Sequence, residues 1–183
     1  MTQLIELSGK EFMQRLLQGE RDFNRKKFTG QPLTTEEMSE INAYLKTVNL
    51  VGEPVILDLA DISGISFPGI YAPHTRARGV KAIHARLPGA ILSHADLGPY
   101  THPNRTQTRS DLSYAVLNRA ELDNSTLNGA IVIRTGFEYT NLWDAKMEDM
   151  RGLERALYLE STNMRSAQRA SINAYIQSRR KRQ

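Results

Sequence analysis

Apolar residues recur along the middle of this chain at an interval of five. Leu57, Ile62, Phe67, Ala72, Ala77, Ala82, Leu87, Leu92 and Leu97 share one phase, and after a gap so do Leu112, Leu117, Leu122, Leu127, Val132, Phe137, Leu142 and Met147. Two residues before each stands a mostly small one, such as Ala60, Ala85, Ala95, Ala115, Ala120 or Ala130. Neither an amphipathic helix nor a strand produces this interval, since their periods are about 3.6 and 2. A five-residue unit that forms one side of a four-sided coil does produce it. The large and the small residue then point inward, the other three face solvent, and successive coils pair as parallel sheet about 4.8 Å apart. Where the large position shrinks, at Ala72 and Ala82, the small partner grows to Ile70 and Val80. Gly64, Gly69, Gly79, Gly89 and Gly129 fall at a third fixed phase, expected at the corners.

Units such as Ala60-Asp61-Ile62-Ser63-Gly64, Ser110-Asp111-Leu112-Ser113-Tyr114 and Ala120-Glu121-Leu122-Asp123-Asn124 resemble the pentapeptide-repeat family. The resemblance covers about half the chain and implies an all-β solenoid, a right-handed quadrilateral parallel β-helix with short capping α-helices at both ends. Arg76, Lys81 and Arg86 stand where the family prefers Asp or Asn. The expected division is residues 1–50 as an N-terminal capping segment, 51–150 as the coil, and 151–183 as a C-terminal cap with a basic tail.

Solenoid ends need covering. Ser8 to Glu11 and Thr34 to Glu37 read as capping boxes that start helices, with Phe12, Leu16 and then Met38, Ile41 and Leu45 on the apolar faces. Phe23, Phe28 and Leu33 repeat at five in another phase and predict a short edge coil. A third helix is expected from Ser166 to about Ser178, covering the last coil with Ala167, Ala170, Ile172 and Ile176. Its alternative role is a homodimer interface.

Between about 98 and 109 the phase survives but the filling fails. Tyr100, His102, Arg105 and Gln107 occupy inward positions, and a dry bore would strip Arg105 and Gln107 of water at large cost. With Pro99 and Pro103 there as well, a protruding loop is expected, the kind of segment that carries function on a rigid frame.

Formal net charge is +4 over 183 residues, with a basic run at Arg179 to Arg182. Stacking residues twenty apart pairs Asp58 with Arg78, Asp61 with Lys81 and Arg76 with Asp96. That neutralises most of the basic cluster and argues against direct nucleic-acid binding. His74 and His94 stack as well, but two imidazoles make an incomplete metal site. With no cysteine there is no thiolate chemistry, and no phosphate loop, nucleophile elbow or carboxylate pair is present. No catalytic residue, cofactor or metal is expected. The absence of a leader or a membrane-spanning run points to a cytoplasmic protein. Tyr71, Ile91, Tyr100, His102, Arg105 and Trp143 are the candidate contacts for a protein partner. The resembled family includes acidic, DNA-mimicking proteins that bind type II topoisomerases; the basic balance argues against that role. An enzyme would need a polar pocket beside His102.

Overall fold

The structure is a computed structural model and describes residues 4–181; Arg182 of the basic run lies outside them. Each five-residue unit makes a tight turn closed by a hydrogen bond from the small residue's amide to the preceding large residue's carbonyl, as in Ala60 to Leu57 at 3.0 Å and Ala115 to Leu112 at 2.9 Å. The corner residue between them has positive φ, as in a type II turn. Several corners are glycine, but most are not: His74 (φ 60), His84 (φ 60), Tyr114 (φ 60) and Arg134 (φ 55) all adopt this conformation. The five glycines expected at corners all stand there, with φ from 64 to 71. The side chains of His84, Tyr114 and Arg134 are exposed at these corners.

Four turns close one coil, and the next coil pairs with it in parallel. One face runs Ile56, Arg76, Asp96, Thr126, Lys146; a second runs Lys27, Asp61, Lys81, Asp111, Ile131, Arg151. A third carries Ser66, Arg86, Val116, Gly136, Leu157, and the fourth Tyr71, Ile91, Glu121, Asn141, Asn163. The offset is 20 residues before the interruption, 30 across it at Asp61–Lys81–Asp111, and 20 again from Asp111 to Ile131. The interruption therefore adds ten residues, two whole units, so the phase of the repeat survives it.

The bore holds Ile62, Phe67, Leu87, Leu92, Leu97, Leu112, Leu117, Leu122, Leu127, Phe137 and Leu142, all buried, with Leu57 and Met147 half-buried near its ends. Inward hydroxyls donate to coil carbonyls, as in Thr135 to Leu112 at 2.7 Å and Thr140 to Leu117 at 2.8 Å. This is how polar groups persist in an apolar interior.

Parallel pairing extends past the expected limits of 51 and 150, from Asp22–Ile56 at one end to Asn141–Asn163 at the other. The predicted edge coil is present, since Phe23 and Phe28 are buried and their amides bond to Ile56 and Asp61. Strand β1 (Ile5–Ser8) adds to it by pairing in parallel with β2 (Lys26–Thr29). Helices α1 (Gly9–Leu17) and α2 (Thr35–Leu45) both begin with the anticipated capping boxes. On α1, Phe12 packs against Phe23 (4.8 Å) and stacks on Phe67 (5.6 Å). Helix α2 leaves between two coils and lies on the side of the coil, where Asn42 donates to Gly69 O (2.9 Å) and accepts from Tyr71 N (2.7 Å).

Helix α3 (Ser166–Arg180) follows two short turns at Leu153–Arg155 and Leu159–Ser161. It presents Ile172 as its buried residue, with Tyr175 and Ile176 half-buried, whereas Ala167 and Ala170 are not buried. The apolar stripe is displaced from the expected one because Gln168 holds the first turn down through bonds to Leu142 O and Ala145 O. No helix among the described residues is long and apolar enough to cross a membrane.

Candidate interaction surfaces

The ten added residues form an ordered β-hairpin, not an irregular loop. Strands β3 (Tyr100–Thr101) and β4 (Gln107–Thr108) pair antiparallel. The turn closes with His102 N to Thr106 O and Arg105 N to His102 O, both 2.9 Å, with Arg105 at φ 65. None of its side chains enters the bore: Arg105 and Gln107 are exposed. Tyr100 and His102 are half-buried and pack edge to face at 5.1 Å, and His102 Nε2 lies 2.8 Å from Thr108 Oγ1. The hairpin sits on Gly79 (φ +64), where a Cβ would come within 2.9 Å of Tyr100 Cβ and 3.0 Å of Thr108 O. Only glycine leaves room for the hairpin base at that corner.

Beside the hairpin lies the most deeply buried charged residue among the described residues. Asp58 is 1% exposed and accepts from Arg76 Nε (2.9 Å), Arg78 Nη2 (2.6 Å) and Arg78 N (2.9 Å). The expected Arg76–Asp96 pair does not form, although the two residues are bridged neighbours. Asp96 turns its Oδ1 to the amide of Gly98 at 3.0 Å, and the longer reach of Arg76 goes to Asp58. Donation to Asp58 holds the Arg78 guanidinium above its ordinary pKa. That guanidinium also lies 5.6 Å over the Tyr100 ring, tying the hairpin to the charge cluster. Asp61 and Lys81 pair at 3.1 Å as expected. Burial would raise the Asp61 carboxyl, but donors from Ser63 and Lys81 outweigh it and lower the pKa.

The remaining candidates are scattered. Tyr71 and Ile91 are bridged neighbours, but Tyr71 is half-buried and lies under the Lys46 ammonium at 5.8 Å, next to α2. Trp143 is 42% exposed, with the Arg165 guanidinium 5.4 Å over its ring. His74 and His94 stack at 4.9 Å and 8°; burial and the neighbouring His94 charge lower the His74 pKa. His84 stacks instead on Tyr114 at 4.8 Å. Among the described residues no three His, Asp or Glu side chains converge as metal ligands. Sequence reasoning missed the exposed Tyr139, Leu157 and Tyr158. Tyr139 was findable as a corner residue in phase with Tyr114, whereas Leu157 and Tyr158 lie beyond the point where the five-residue phase slips.

A cleft of about 430 Å³ lies between α3 and the last coil, lined by Met147, Met150, Leu153, Ile172 and Tyr175. The bore encloses an apolar space of about 70 Å³, well below the volume of an ordinary ligand pocket.

No family profile and no curated protein sequence matches the chain. Solved structures do. HetL, a pentapeptide repeat protein involved in heterocyst differentiation regulation from the cyanobacterium Nostoc sp. strain PCC 7120, matches at 26% identity and a TM-score of 0.50 over 55% of this chain. The chain spans 41% of the length of HetL. A pentapeptide repeat protein from the Arabidopsis thaliana thylakoid lumen matches at 20% identity and a TM-score of 0.54, covering 63% of this chain and 72% of its own. That likeness bears on the fold alone. With five-residue turns, coils paired in parallel at twenty residues and a bore filled by one large and one small side chain per side, this chain is a pentapeptide-repeat protein.

Proposed function

We propose that this protein is a non-catalytic scaffold that binds another protein through its outer faces and its hairpin. The observation that carries the reading is the base of the hairpin: an ordered projection is seated on Gly79 and held by Arg78 over Tyr100. A rigid frame that presents Tyr100, His102 and Arg105 at a fixed place suits recognition, because little ordering entropy is lost on binding. The bore has no space for a substrate, and the polar groups near His102 are satisfied by Thr108.

In this reading the coil winds right-handed as in the resembled family, α1 closes the end above Phe67, and α3 closes the other. We assign α3 to covering the last coil and not to a dimer, because its buried residue, Ile172, already faces the chain's own apolar groups. The functional division becomes a coil from about residue 21 to 163 with helical segments at its ends. A cytoplasmic location, a protein partner and no cofactor are part of the same proposal. The DNA-mimic, topoisomerase-binding role of some family members finds no support here, since the second face alternates in sign from Lys27 through Asp61 and Lys81 to Asp111.

Affinity capture with the full chain, repeated with residues 99–108 deleted, tests the proposal by mass spectrometry. The expected result is a specific partner that the deletion loses. Capture of no protein above a charge-matched control overturns the scaffold reading, and an identical partner set with the deletion removes the hairpin from it.

A further inference from the structure

Arg76 and Arg78 share the buried Asp58. Arg86, Arg119, Arg134 and Arg155 lie at the surface, and among the described residues none of them forms an ion pair. These four lie on one side of the coil. Its middle column runs Arg86, Val116, Gly136, Leu157. Along one edge Tyr114 N bonds to Ile133 O, which stacks Tyr114 on Arg134, and Arg134 N bonds to Arg155 O in the coil beyond. Along the other edge Arg119 sits one coil above Tyr139, its amide bonded to Glu138 O. The side thus has an uncharged strip at Val116, Gly136 and Leu157, bordered by Tyr114, Arg134 and Arg155 on one edge and by Arg119 and Tyr139 on the other. Tyr139 is 62% exposed, Tyr158 51% and Leu157 43%. Its acids are Glu138, engaged by Asn118 Nδ2 at 3.2 Å, and the exposed Glu160 at the far end.

We infer that this side binds an acidic, amphipathic segment of a partner protein: an apolar stripe lies along Val116, Gly136 and Leu157, and carboxylates reach the arginines on either border. The inference rests on the scaffold reading and names a surface and a partner chemistry for it. Desolvating four unpaired guanidiniums is favourable only against negative charge. An aliphatic middle strip suits the apolar side chains of a peptide and offers nothing to phosphates, which favours an acidic protein segment over a nucleic acid. Gly136 itself is buried, with Asn118 Oδ1 2.8 Å from where a Cβ would stand, so Val116 and Leu157 supply the apolar contacts.

The test uses the full chain and a fluorescein-labelled helical peptide of about 14 residues, whose ~21 Å length matches about four coils. Leucines occupy every third and fourth position and glutamates flank them. Anisotropy should show saturable binding that weakens with salt, at least about tenfold weaker for the double variant Arg119→Glu, Arg134→Glu. Lys146→Glu, on the Ile56–Lys146 face, should bind like the parent, and a peptide with lysine in place of glutamate should not bind. Both variants change surface side chains, and unchanged circular dichroism confirms their folding. No saturable binding, equal binding by the double variant, or tighter binding of a single-stranded oligothymidine of equal charge overturns the inference. If affinity capture still retains partners while the peptide fails, the scaffold reading stands and this surface alone is wrong.

Discussion

Replacing Asp58 with alanine removes the acceptor for two guanidiniums and one backbone amide. Arg76 Nε at 2.9 Å, Arg78 Nη2 at 2.6 Å and Arg78 N at 2.9 Å would each be left without this carboxylate. Hydrogen bonds to charged groups are worth about 1.5–3 kcal/mol each where both partners are buried. The arginine side chains are 39% and 36% exposed, so they regain water and their share must be cut heavily. The Arg78 amide donates only to Asp58 Oδ1 among the described residues, and a donor left unpaired costs about 1–3 kcal/mol. The sum is about 2–3 kcal/mol for Asp58→Ala. Asp61→Ala is the matched control, because its partner Lys81 is 55% exposed and such a pair contributes about 0–1 kcal/mol. Urea unfolding followed by circular dichroism measures both, provided the transition is a single step with unchanged slope. If Asp58→Ala costs no more than Asp61→Ala, burial does not govern these ion pairs and the description of the cluster is wrong.

Gly79→Ala should disturb the hairpin base, through contacts of 2.9–3.0 Å at the new Cβ, and cost about 2 kcal/mol or more. Gly89→Ala, with the same kind of positive φ and open space around it, should cost about 1 kcal/mol; thermal unfolding of the two variants separates strain from crowding. Deleting residues 99–108 should leave a folded protein, since it removes two whole units and joins Gly98 to Arg109 in phase; loss of the parent's circular dichroism signal would contradict this. His74 has a lowered folded pKa, so the unfolded chain binds the proton more readily. Stability should be complete above the ordinary value of 6.5 and fall as pH drops below it. His74→Gln should flatten that part of the stability–pH curve, and an unchanged curve would remove His74 from the account.

The coil was legible because its signal is local and repeated: Leu87, Leu117 and Leu127 each report the same inward direction five residues at a time. The interruption was legible too, through Arg105 and Gln107 at inward positions. Its form was not, because a hairpin depends on pairing between Tyr100 and Thr108 and on the space above Gly79, neither of which has a periodic trace. Column stacking gave Asp58–Arg78 and Asp61–Lys81 but failed for Arg76, whose flexible side chain reached a buried carboxylate beside the column. Tyr71 looked free because nothing in the sequence says that α2 returns to bond at its amide. Past Gly136 the spacing lengthens to 21 and then 22 residues, and counting by five no longer locates Leu157 and Tyr158.

Cross-linking tests the stacking most directly, and the chain's lack of cysteine makes it clean. Neighbouring parallel strands lie about 4.8 Å apart, within the ~4.4–6.8 Å Cα separation that a disulfide spans. Arg86 and Val116 are bridged neighbours across the hairpin, so the pair Arg86→Cys, Val116→Cys should oxidise to an intramolecular disulfide, seen as the loss of two hydrogens in the intact mass. The pair Arg86→Cys, Thr106→Cys keeps the uninterrupted twenty-residue offset and should stay reduced. Oxidation of the second pair and not the first would mean that the coil continues through the insertion, contradicting the arrangement of rungs on which every surface described above depends.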